Sequence, residues 1–98
     1  MSDMKTIQVV GETISLEGTF LVDVDASQTD AIQRTLSAAL TPRLESRARE
    51  LAAKRERPYV AMEDPDVTFD AYDFPHKTEV VWVATAVVLM KKDYIHRP

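Results

Sequence analysis

The stretch Thr78-Glu79-Val80-Val81-Trp82-Val83-Ala84-Thr85-Ala86-Val87-Val88-Leu89-Met90 organises the reading of this 98-residue chain, because ten of the eleven residues from Val80 to Met90 are apolar. A strand that buries one face alternates apolar with polar residues, whereas this one is apolar on both. Val80, Trp82, Ala84, Ala86, Val88 and Met90 share one face, and Val81, Val83, Thr85, Val87 and Leu89 the other. Its β-branched content favours strand over helix, and 11 apolar residues fall well short of the roughly 20 that cross a bilayer as a helix. One set can pack beneath helices. Nothing evident in so short a chain covers the other, so a second copy is expected to do so, with Val81, Trp82, Val83, Val87 and Leu89 as the subunit interface. The competing expectation is closure within the chain, by an N-terminal hairpin curling over the second face.

Working outward, alternation recurs at Ile14, Leu16, Gly18, Phe20, Val22 and Val24, preceded by Ile7 and Val9 in the other register. The change of register around Val10, Gly11 and Glu12 predicts a hairpin turn or bulge at Gly11, in preference to a rival turn at Glu17 and Gly18. Ser27 followed by Asp30 predicts a helix start, and Ile32, Leu36, Ala39 and Leu40 give that helix an apolar face. Pro42, costing about 3 kcal/mol inside a helix, predicts a break or sharp kink there. A second helical piece then packs on Leu44, Ala48 and Leu51 and stops before Pro58. Short strands are expected around Tyr59 to Met62 and Val67 to Ala71, before the long final strand. The expected fold is α+β: a mainly antiparallel four- to five-stranded sheet in β-β-α-α-β-β order, with a Pro-kinked or split helix on one face. One domain spans 1–98, with 1–4 and 92–98 expected to fray.

Charge alternates by segment. Residues 1–30 carry a net −5, 31–57 a net +4, 58–79 a net −5 and 80–98 a net +2, within a total of −4. An acidic chain is poorly suited to neutralising phosphate backbones, which weighs against nucleic acid as a partner. The alternation suggests that segments complement one another, within or between copies. The chain has no cysteine, which removes disulfides, thiolate metal sites and cysteine nucleophiles together. No basic-then-apolar leader opens the sequence, and a cytoplasmic protein without membrane association is expected.

Four groups of residues invite a chemical reading. Glu63, Asp64, Asp66, Asp70 and Asp73 are acidic but lack the spacing and central glycine of a calcium loop, so no metal is expected. His76 has no nucleophile to activate, and His96 lies in a basic tail. No catalytic residue and no cofactor follow. Arg43 and Arg47, with Glu50 and Lys54, form a helix-surface stripe; beside Tyr59 the two arginines could clamp a small anionic ligand at a subunit interface. The same stripe could instead meet an acidic segment of a neighbouring copy. No stretch matches a motif of a known family. The leading expectation is a non-enzymatic homo-oligomeric assembly protein acting through protein–protein contact, and the alternative is a binder of an anionic, phosphate-bearing ligand.

Overall fold

A computed structural model describes residues 8–95 and gives the order β1 (Val9–Val22), α1 (Thr29–Lys54), β2 (Tyr59–Met62), β3 (Asp66–Phe74) and β4 (Lys77–Lys91). The long apolar strand, β4, is the centre of an antiparallel four-stranded sheet. One of its edges pairs along its length with β1, from Val9 opposite Lys91 to Val22 opposite Thr78. The other edge is shared end to end by β3, opposite residues 77–85, and β2, opposite residues 88–90. The helix α1 packs on one face of this sheet, so the α+β expectation holds.

The order β-α-β-β-β corrects the expected one at two places. No hairpin forms at Gly11: β1 runs unbroken through it. The apolar residue on the opposite register, Val9, faces the side of the sheet away from α1, and Ile7 lies outside the described residues. Gly11 is small for a different reason. A Cβ there would stand 3.2 Å from Val87 Cγ1 and 3.7 Å from Leu89 Cδ2, so the glycine makes room for the side chains of β4 to lie across β1.

The helix is one element and not two, with Pro42 inside it. Pro42 is exposed, so its ring and the carbonyl of Ala38 that loses its usual N–H donor both face solvent. The helix begins at Thr29 with Gln28 as its cap, one residue after the expected Ser27, and no side chain caps it. At its C-terminus the Glu56 N–H donates to Ala53 O and the Arg57 N–H to Ala52 O, with Glu56 at φ 56°, which is the Schellman arrangement.

The buried residues of α1 are Ile32, Leu36, Leu40, Leu44, Ala48 and Ala52, spaced by four throughout. At about 100° per residue, each step of four advances the stripe by about 40°, so over its length it turns through about 200°. A flat sheet could not follow such a stripe. A long, twisted β1–β4 ribbon can, because strand pairs coil right-handedly along their length. Facing the stripe are Val80, Trp82, Ala84, Ala86, Val88 and Met90 of β4, with Ile14 and Val22 of β1, all buried. Phe20, Leu16, Tyr59, Met62, Val67 and Phe69 pack around them.

Gly18 sits beneath Trp82: a Cβ on it would approach Trp82 Cζ2 to 3.0 Å, and the indole is itself held between sheet and helix. Gly18→Ala is therefore expected to destabilise the fold by about 1–3 kcal/mol, the usual cost of overpacking, read as a lowered urea midpoint. Pro42→Ala should act in the opposite sense. It restores a helix hydrogen bond and removes a clash, about 3 kcal/mol, against up to about 1 kcal/mol lost by loosening the unfolded chain. A raised midpoint at fixed protein concentration checks it.

Candidate functional site

The register assigns every side chain of the sheet to a face. Even-numbered residues of β4 point to α1, and odd-numbered ones to the opposite side, where no element of the described chain covers them. This open face runs along Val81, Val83, Thr85, Val87 and Leu89. Val81 and Val83 are 41% and 40% exposed despite their central position, and Val9, Leu21 and Tyr72 add apolar surface at the margins. Polar residues flank the apolar strip: Thr13, Ser15, Glu17 and Thr19 on β1, Asp66, Thr68 and Asp70 on β3, and Glu79 at one end of β4. The open face is thus an apolar centre within a polar rim, with carboxylates along its sides and Lys77 and Lys91 at the two ends of β4.

Four of the five expected interface residues, Val81, Val83, Val87 and Leu89, stand on this face. Trp82 does not. It points to α1, is 2% exposed, lies beneath the Arg43 guanidinium at 5.5 Å from ring centroid to Cζ, and its indole N–H has no hydrogen-bond partner among the described residues. Consecutive strand residues point to opposite faces, so a stretch apolar on both sides cannot contribute neighbouring residues to one surface.

The expected anion clamp is not assembled. Arg43 and Arg47 lie on the flank of α1 towards β1, where a shallow groove is bounded by Leu16, Ser46 and Glu50 as well. Tyr59 belongs to β2, on the far side of β4, and is covered by Arg49 at 4.5 Å. The two flanks of the helix are separated by its own buried stripe, so Tyr59 cannot reach the arginines on the β1 side. Arg47 pairs with Glu50 at 3.6 Å on the same exposed surface.

Two other polar contacts hold the ends of the layers together, and sequence reading found neither. Arg55, just after α1, grips Glu12 of β1 with both arms, Nε to Oε2 at 2.9 Å and Nη2 to Oε1 at 3.1 Å. This hydrogen-bonded guanidinium holds the Glu12 carboxyl below its ordinary range. It is one instance of the expected match between acidic and basic segments, formed within the chain. At the opposite end the Asp73 carboxylate accepts from the Thr78 hydroxyl at 2.7 Å and from the Ala26 N–H at 2.9 Å. These donors lower its pKa, the hydroxyl most, and tie the β1–α1 loop to the β3–β4 hairpin.

Among the described residues no three His, Cys, Asp or Glu side chains are grouped so as to hold a metal ion. Asp66 and Asp70 stand on the open face while Asp73 is engaged as above. His76 is exposed in the two-residue loop between β3 and β4, and His96 lies outside the described residues. Residues 92–95, expected to fray, are bonded: the Lys92 N–H donates to Gln8 O at 3.0 Å and the Ile95 N–H to Glu56 O at 2.7 Å, and Arg57 covers the Tyr94 ring at 4.2 Å. No helix among the described residues is long and apolar enough to cross a membrane. Comparison of the chain with protein-family models, with curated proteins and with solved structures gave no match.

Both carboxyls have folded-state pKa values below their unfolded ones, so each stabilises the fold above its unfolded pKa, near 4, and loses that contribution as pH falls through the folded value. Stability should be insensitive to these groups from pH 6 to 7 and fall below about pH 4. Glu12→Gln together with Asp73→Asn should flatten that acid limb in urea titrations across pH.

Proposed function

We propose that this chain is a self-assembling protein-contact module, without catalytic chemistry of its own, whose open sheet face is covered by another protein surface and first of all by a second copy. The observation that carries this reading is the exposure of Val81 and Val83, at 41% and 40%, on the central strand of the sheet. A central position is where a sheet ordinarily has its most buried residues. A single helix covers one face of a sheet, and the sequence of β4 is apolar on the face that it leaves.

Overall dimensions support the same reading. The Cα radius of gyration is 17.9 Å, against about 13 Å for a compact domain of 100 residues. The chain is a thin, long plate with principal extents of 65 × 31 × 15 Å, so much of its apolar surface lies close to solvent. Such a shape favours association, because a plate has a high ratio of surface to core.

The anionic-ligand reading has less behind it, since Arg43, Arg47 and Tyr59 do not converge. Basic and acidic groups remain distributed so that contact between copies is selective. The rim of the open face carries Glu17, Asp66, Asp70 and Glu79 along its length and Lys77 and Lys91 only at the ends of β4, a net negative charge, so face-to-face packing brings mostly like charges near one another. Salt should strengthen that association by screening them.

Native mass spectrometry tests the reading. The expected result is a defined multiple of 11.1 kDa, converted towards monomer by Val83→Glu. An unpaired carboxylate buried in the contact costs roughly 3 kcal/mol, or about a 100-fold weaker dissociation constant. Trp82→Glu is not a substitute, because it would disrupt the core. A wild-type monomer at all salt concentrations, with circular dichroism unchanged in Val83→Glu, would overturn the proposal.

A further inference from the structure

The two edges of the sheet are built differently. On the β2–β3 side the edge is interrupted: β2 has four residues and a register shift between Tyr59 and Ala61, Glu63, Asp64 and Pro65 separate it from β3, and β3 carries Asp66, Asp70 and Asp73. Short strands, bulges, proline and charge are the devices that keep an edge from pairing. The β1 edge has no bulge and no proline and is not short, and of its two charges, Glu12 and Glu17, the first is already held by Arg55. This edge runs 14 residues in unbroken register with β4, without proline or lysine, and among the described residues nothing pairs with its outer side.

Which backbone groups it offers follows from the ladder. The Lys92 N–H donates to Gln8 O, and these two residues continue the register in which Val9 faces Lys91. Antiparallel ladders alternate, so even-numbered residues of β1 turn their N–H and C=O to β4. Odd-numbered residues, Val9 to Leu21, turn theirs outward.

We infer that β1 pairs antiparallel with β1 of a second copy, about a two-fold axis through Ser15, to give one continuous sheet with both helices on the same side. The inference rests on the reading of the chain as self-assembling and adds to it a surface distinct from the open face. Outward groups must meet outward groups, so odd residues oppose odd ones. Of the registers that keep the strands almost fully overlapped, the one centred on Ser15 matches side chains on both faces. On the helix side Val10 meets Phe20, Ile14 meets Leu16, and Glu12 meets Gly18; on the open side Val9 meets Leu21, Thr13 meets Glu17, and Ser15 meets itself. No like charges are opposed. Centring one residue later sets Glu12 against Phe20 and Leu21 against Gly11.

Charge on the helix completes the match. A groove of about 310 Å³ runs beside the edge, lined by Thr13, Ile14 and Ser15 below and by Arg47, Glu50, Leu51 and Lys54 of α1 above. The two-fold axis passes beside this groove, and antiparallel helices about it set Arg47 of each copy against Glu50 of the other. Three strand spacings separate one β4 from the next, about 14 Å, a gap that these long side chains can span between the helices. The Arg47–Glu50 contact at 3.6 Å within one helix is exposed and available for exchange.

The chain has no cysteine of its own, so Ser15→Cys gives a clean test. Directly opposed residues of a hydrogen-bonded pair are about 5.5 Å apart at Cα, within disulfide reach. Mild oxidation is expected to convert Ser15→Cys to a covalent dimer, while Thr19→Cys, opposite Gly11 of the second copy, stays largely uncoupled. Adding Thr13→Pro should abolish the Ser15→Cys crosslink with circular dichroism preserved, because the Thr13 N–H points outward and does not bond β4. No crosslink, equal crosslinking of both cysteine variants, or a crosslink that survives the proline overturns the inference. Adding Val83→Glu separates the two surfaces. A crosslink that persists while higher assembly is lost supports both, an intact assembly with the crosslink shows the open-face reading to be the one that fails, and loss of assembly without any crosslink in Ser15→Cys sinks the edge alone.

Discussion

The fold depends on the packing of one apolar stripe, Ile32 to Ala52 on α1, against the even-numbered residues of β4. Because the stripe repeats every four residues it winds about the helix, and the sheet must coil to stay against it. The unbroken β1–β4 ribbon supplies that coil. Side-chain size then adjusts the contact along its length, with Ile32, Leu36, Leu40 and Leu44 first and Ala48 and Ala52 near the end of the helix, where Tyr59, Met62 and Met90 are large. Gly18 admits the widest side chain of the core, Trp82.

Everything that bears on function follows from how little that one helix can cover. It satisfies one face of the sheet and leaves the other to an apolar strip rimmed by carboxylates. The polar contacts are concentrated elsewhere, at the two ends of the layers, where Arg55 fixes Glu12 and Asp73 gathers Thr78 and Ala26. The ends are thereby fastened while the middle of the sheet stays open on one side.

Much of this was legible from residue pattern. The two-sided character of β4 came directly from its composition, and period-two alternation found β1 and β3. The misreadings have definite physical causes. Val9 suggested a hairpin because an apolar residue off the main register was taken to belong to another strand, when it lies at the margin of an open apolar face. Pro42 suggested two helices, because the cost of a proline was weighed without its position; on the outward side the disrupted carbonyl meets water and the core stripe is untouched. Tyr59 was set beside Arg43 and Arg47 by closeness in sequence, yet β4 lies between β2 and β1.

Local pattern was sufficient to identify an α+β chain with a strand that is apolar on both faces, because alternation and helical spacing are properties of neighbouring residues. The pairing of β1 and not β2 along the full length of β4, the opposite placement of Trp82 and Val83, the Arg55–Glu12 grip and the contrast between an interrupted edge and an open one were beyond its reach. Each of these is a contact between residues far apart in sequence. Such contacts are set by competition among all the surfaces that could be buried together, and only the folded chain shows which were chosen and which were left over.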